Sequence, residues 1–128
     1  MKNLSDLKLE LENSLLFMRD VTVTEGDNFL KIVDVDLPEL PVWLTVFGDK
    51  MECWVNLCPV KSVAEVDRYK LSHFLLESNE LTNLSSFSIG QGNYKLTGKL
   101  SANSDIDLIV QDLESLFETS REALSLFA

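Results

Sequence analysis

The chain is nearly without imidazole and thiol: it has one histidine, His73, and two cysteines, Cys53 and Cys58, in 128 residues. That set cannot build a four-ligand zinc site, and a Ser/His/acid or Cys/His centre would have to use His73. No Gly-x-Ser-x-Gly elbow accompanies it, so a partly exposed helix histidine beside Phe74 is the simpler reading. Basic residues are scarce too, 11 against 21 acids, giving a net charge of -10 and a pI near 4.4. Nucleic acid and anionic membrane repel such a polyanion, so neither is expected as a direct partner. No apolar run approaches the roughly 20 residues that span a bilayer, so direct membrane insertion is not expected. Residues 1–6 hold no secretory apolar region, and a soluble cytoplasmic protein is expected.

What is present is ordinary globular material, 45% hydrophobic and 25% charged. That is enough for one domain, residues 1–128, to bury a core without disulfides. Leu4, Leu7, Leu11, Leu15 and Met18 recur at threes and fours, the stripe of an amphipathic helix that Asn3 or Ser5 can cap. Glu25-Gly26-Asp27-Asn28 reads as a turn, followed by strands at Phe29–Val35, Val42–Phe47 and Met51–Leu57. Ser62-Val63-Ala64-Glu65 has the form of a capping box, opening a helix to about Ser78 with Ala64, Asp67, Leu71, Phe74, Leu75 and Ser78 on one side. Leu84–Ile89 and Tyr94–Leu100 form a second hairpin across Gly90-Gln91-Gly92-Asn93. Neither proline nor glycine occurs beyond residue 98, so a helix is expected to close the chain, with Ser104 and Asp107 as a second capping box. Its stripe is Ile106, Ile109, Val110, Leu113, Phe117 and Leu124. The order α-β-β-β-α-β-β-α predicts an α+β fold with an antiparallel sheet packed by helices.

Chemistry-bearing patterns are weak one by one. A calcium loop from Asp34 needs glycine sixth and glutamate twelfth but meets Glu39 and Thr45; one from Asp105 meets Val110 and Leu116. Gly90-Gln91-Gly92 lies between two strands, whereas a phosphate loop opens a helix. Cys53 and Cys58 stand an odd number of residues apart on one strand, so they point to opposite faces and are expected as unpaired thiols. No catalytic residue, metal or cofactor is expected.

The aromatic residues are more informative. Alternation puts Trp43 and Phe47 on one face of their strand and Val42, Leu44 and Val46 on the other. Trp54 likewise opposes Met51, Cys53 and Val55. Both sides of the sheet therefore carry large apolar groups. Either three helices cover both sides, or one side is left as an apolar patch for a partner or a second copy.

Two stretches carry a resemblance: Leu37-Pro38-Glu39-Leu40-Pro41-Val42-Trp43-Leu44-Thr45-Val46 with Gly48, and Leu84-Ser85-Ser86-Phe87-Ser88-Ile89 with Tyr94 and Gly98-Lys99-Leu100-Ser101-Ala102. Together they resemble the YjfI-like family of small bacterial proteins of unknown function, over about residues 20–125. That resemblance implies an accessory role beside a PspA-type envelope-stress protein, and it carries over no catalytic residue. The element order, size and acidity also resemble type III secretion chaperones, small acidic homodimers that hold partly unfolded client segments.

The expectation is a non-enzymatic protein-binding module, a homodimer with a PspA-like partner. Its apolar surface would take a client segment as an added strand or an amphipathic helix. Trp43, Phe47 and Trp54 on the sheet and Leu116, Phe117 and Phe127 on the last helix are the expected contacts. The alternatives are a secretion-type chaperone holding an effector segment and a small hydrolase using His73. Half of the excess acid falls in residues 25–52 and half in residues 104–122, flanking a mildly basic strand that carries Lys95 and Lys99.

Overall fold

A computed structural model describes residues 3–18, 20–79, 85–101 and 104–124. Ten elements follow in order: α1 (Leu4–Met18), β1 (Val21–Glu25), β2 (Leu30–Asp34), β3 (Val42–Phe47), β4 (Lys50–Pro59), a 3-10 turn (Val60–Ser62), α2 (Glu65–Ser78), β5 (Ser85–Gly90), β6 (Asn93–Ser101) and α3 (Ile106–Ala123). All six strands form one antiparallel sheet in the order β1-β2-β3-β4-β6-β5. The fold is the expected α+β type with one strand more than the sequence pattern suggests. That strand, β1, is only Val-Thr-Val-Thr-Glu, and its two valines on the heels of a helix give too short an alternation to register.

Helix starts depart from the capping boxes. Asn3 does cap α1, its Oδ1 accepting from the Asp6 N–H at 2.8 Å. Ser62, however, belongs to the 3-10 turn closed by the Val63 N–H on the Val60 carbonyl, and Ala64 is the residue that precedes α2. For α3 the boundary residue is Asp105 rather than Ser104, and its carbonyl accepts from the Leu108 and Ile109 N–H groups. Carboxylates still fill both first turns, Glu65 and Asp67 in α2 and Asp107 in α3, where the helix dipole favours them.

The sheet's two faces differ. On one, Leu30, Ile32, Val42, Leu44, Met51, Cys53, Val55 and Leu96 are buried against Leu7 and Leu11 of α1 and Ile109, Leu113, Leu116 and Phe117 of α3. Each fully buried aliphatic or aromatic side chain contributes about 1.5–3 kcal/mol of burial free energy, so this face holds the core. The α3 stripe matches expectation and is wider, taking in Leu116 and Ala123. The stripe expected on α2 fails: Leu75 alone is buried, because α2 lies beside the edge strand β5 instead of on the sheet. Helices α1 and α3 therefore share one face and leave the other open.

Candidate functional site

The open face is built from the alternate residues of each strand. Its central rung follows from strand register: Thr24 opposite Lys31, Lys31 opposite Trp43, Trp43 opposite Trp54, Trp54 opposite Thr97, and Thr97 opposite Ser86. Trp43 and Trp54 are half-buried, and no described side chain on this face is fully buried. Phe29 meets Trp43 edge-on with centroids 5.2 Å apart. Lys31 Nζ lies 5.4 Å from the Trp43 ring and Lys95 Nζ 5.5 Å from the Trp54 ring, so a cation flanks each indole. Phe47, at the far end of β3, is 58% exposed. Gly26 belongs to this arrangement: a side chain there would collide with the Phe29 ring, which its hydrogen atom admits. Two polar atoms of the face, Thr45 Oγ1 and Asn56 Oδ1, are buried without a hydrogen-bond partner.

A second apolar surface lies around α2. Val66 is 85% exposed, Tyr69 81% and Leu76 65%, with Phe74 and Ile89 about half exposed. Ser72, Leu75, Leu76, Phe87, Ser88 and Ile89 line a shallow groove of about 150 Å³ between α2 and β5. Apolar groups thus occupy several sides of α2, which buries only one of them within the chain.

The structure separates the residues expected from sequence. Trp43, Trp54 and Phe47 share the open face. Leu116 and Phe117 are 1% and 2% exposed in the core, so they contact the sheet and not a partner. Phe127 lies outside the described residues. Phe29, Lys31 and Lys95 were missed because cross-strand register decides what meets the indoles. Val66, Tyr69 and Leu76 were missed because they lie off the side of the helix that the sequence pattern predicts as buried, and their exposure shows only once the helix is placed.

His73 contacts its own helix: Nε2 is 2.9 Å from Glu77 Oε1, and the ring stacks on Tyr69. Cys53 points into the core, where burial first and the nearby Asp112 second push its thiol up to about 12. It cannot supply a thiolate near neutral pH. The expectation that the two cysteines face opposite sides is corrected by a bulge between Asn56 and Cys58, which sets half-buried Cys58 opposite core-side Tyr94 and so on the same side of β4 as Cys53. Its Sγ donates to the Pro59 carbonyl at 3.4 Å, and both thiols are unpaired. Among the described residues, no three His, Cys, Asp or Glu side chains group to hold a metal ion. No described helix is long and apolar enough to cross a membrane.

Comparison with known proteins bears on the fold and the family. A chain of the ExsC–ExsE complex superposes with a TM-score of 0.70 at 11% identity, covering 99% of this chain and 97% of that one. A chain of the HopA1–SchA chaperone–effector complex superposes with a TM-score of 0.64, also at 11% identity, covering 93% and 90%. At such identity the likeness is one of fold. No curated protein matches the sequence. The family described as "Uncharacterized protein conserved in bacteria (DUF2170)" matches residues 1–128, and the chain belongs to it.

Proposed function

We propose that this DUF2170 protein is a non-enzymatic, chaperone-like module that holds a segment of a partner protein and works as a homodimer. The observation that carries the reading is the open sheet face, where Trp43 and Trp54 stand side by side with Phe29 and no described helix packs over them. Both indoles are only partly buried on a face that no described helix covers, and aromatic clusters on an uncovered face mark binding surfaces. The resemblance in fold to a chain of a chaperone–effector complex supports the same class of work. The exposed apolar residues of α2 supply a separate surface for a second copy, so partner and dimer contacts need not compete.

Capture from the native cell with tagged wild-type protein, alongside a Trp43→Ala/Trp54→Ala variant, tests the reading. A protein retained by the wild type and lost by the folded variant supports it. Equal retention by both, or retention of nothing at several salt concentrations, overturns it. The partner's identity then separates the finer readings: a PspA-type protein favours the envelope-stress role that the YjfI-like resemblance implies, and a secreted effector favours the secretion chaperone.

A further inference from the structure

Strand alternation sorts the charges of the sheet by side. Residues 25–52 hold seven acids against Lys31 and Lys50. Glu25 and Asp34 alternate onto the helix-covered side, and Asp27, Asp36, Glu39 and Asp49 lie outside the strands. Of the seven, only Glu52 belongs to the open side of a strand, the side that both lysines also take. Lys95 of β6 joins them, opposite Asn56 in the register. The described charges on the open side of the strands are therefore three lysines and one glutamate. Across the sheet the balance reverses: α1 and α3 carry eight acids against Lys8 and Arg121. A chain of net charge -10 thus keeps one basic, aromatic face.

The ammonium groups of that face lack the carboxylate partners found on the helix side, where Lys8 pairs with Glu12 at 3.8 Å and Arg121 with Asp34 at 4.0 Å. Among the described residues, no carboxylate pairs with Lys31, Lys50 or Lys95. Lys95 meets the neutral Gln91 Oε1 at 3.4 Å. Lys31 and Lys95 rest instead beside the Trp43 and Trp54 rings, which puts positive charge at both outer sides of the indole pair. The four side chains stand on β2, β3, β4 and β6, neighbours in that order. The two lysine-bearing strands are therefore three strand spacings apart, about 14 Å.

We infer that the open face selects an acidic segment of the partner protein, lying across the strands with apolar side chains on Trp43 and Trp54 and a carboxylate toward each of Lys31 and Lys95. The inference rests on the reading of the open face as the binding surface and adds the charge of what it takes. About four residues of extended chain span the distance between the lysine-bearing strands, so the segment has an acid, three largely apolar residues and a second acid. An ion pair formed against an indole is partly shielded from water, which strengthens it over one on an open surface. Charge placed this way also rejects wrong partners, since a basic segment would set like charges against each other. Nucleic acid would meet the same lysines, but three ammonium groups beside Glu52 neutralise few phosphates, and the net charge of -10 repels the rest. A second copy meeting face to face would oppose lysines to lysines. The occupant is a different chain, acidic at both ends of an apolar centre.

Trp43 and Trp54 are the only two tryptophans of the chain, so its indole emission reports this face and no other. The test titrates the intact protein with the blocked, tryptophan-free peptide Glu-Glu-Leu-Phe-Leu-Glu-Glu and with versions carrying glutamine or lysine in place of glutamate. The acidic peptide shifts the emission with an affinity about fivefold or more above the glutamine version, the size expected of two modest ion pairs. The lysine version binds more weakly still, and high salt narrows the differences. Lys31→Gln with Lys95→Gln brings the preference for glutamate below about twofold, whereas Lys61→Gln, off the face, keeps it. A lysine version that binds as tightly as the acidic one overturns the inference. So does a preference unchanged in the double variant, or tighter binding of oligothymidine. Equal affinities for all three peptides overturn it while the open-face reading survives. An emission that no peptide moves overturns it too, and the capture experiment then decides the module reading on its own.

Discussion

Trp43 and Trp54 face each other directly across β3 and β4, each with a lysine ammonium about 5.5 Å from its ring. On the proposed reading of the uncovered face as a binding surface, the pair is expected to matter more for binding than for folding. Trp43→Ala and Trp54→Ala are each expected to cost about 2 kcal/mol or more in partner affinity, the range of interface hot spots. Lys31→Ala and Lys95→Ala should cost only about 0.5–1 kcal/mol, the size of an exposed cation–π contact. Titration calorimetry with the captured partner checks both. Equal losses for all four variants would show that the indoles are not the anchors.

The exposure of Val66, Tyr69 and Leu76 predicts self-association through α2. Sedimentation of the wild type should give twice the chain mass, and Tyr69→Glu with Leu76→Glu should give a monomer. Both side chains lie in solvent in the single chain, so thermal stability of the monomer itself should shift by no more than about 0.5 kcal/mol per site. A wild type that sediments as a monomer at high micromolar concentration contradicts the dimer.

At the β5 edge of the sheet, Asn79 Oδ1 accepts from the Phe87 N–H at 2.5 Å and Nδ2 donates to the Phe87 carbonyl at 3.1 Å. This bidentate contact is expected to be structural as well as protective of the edge. Asn79→Ala leaves the Phe87 N–H and carbonyl without their partner and should lower stability by about 1–3 kcal/mol. Asn79→Asp keeps an acceptor for the N–H and loses the donor, so it should fall between the two. The alanine variant should also associate through the exposed edge of β5, visible as concentration-dependent light scattering.

How far the sequence alone reaches can be judged from these same residues. Five of the six strands, all three helices and the burial of Ile109, Leu113 and Phe117 follow from periodicity, because each depends only on near neighbours in the chain. The pairing of Trp43 with Trp54 depends on register, and the nearness of Lys31 and Lys95 on register across β2, β3, β4 and β6, which no local pattern contains. Whether α2 covers the open face is a tertiary question, and its apolar residues look like core in either case. Asn79 shows the limit most plainly: its role exists only once the end of α2 is beside Phe87.

Thiol chemistry should divide the two cysteines. With the Cys53 thiol held near 12 by burial, a disulfide reagent at pH 8 should find Cys58 alone in the native protein. The second thiol should react only after denaturation, on the timescale of unfolding. Rapid reaction of two thiols in the native state would place Cys53 outside the core.

Asp112 makes the least comfortable contact of the core and gives the sharpest pH prediction. It lies on the inner side of α3, 7% exposed, with its Oδ1 buried and unpartnered. Desolvation raises its pKa from 3.8. An acid raised by folding holds its proton more tightly folded than unfolded. Its burden on stability is therefore absent below about pH 3.8, grows as the unfolded chain ionises first, and becomes constant once the folded pKa is passed. Asp112→Asn keeps the shape and removes the charge. The variant should be more stable than wild type at neutral pH, because it removes the desolvated charge that raises the Asp112 pKa. The two proteins should converge in acid, where wild-type Asp112 is protonated. Urea unfolding of both between pH 3 and pH 7 reads the difference directly. A variant less stable at neutral pH, or a gap that does not change with pH, would mean that Asp112 is held by a partner and not merely tolerated.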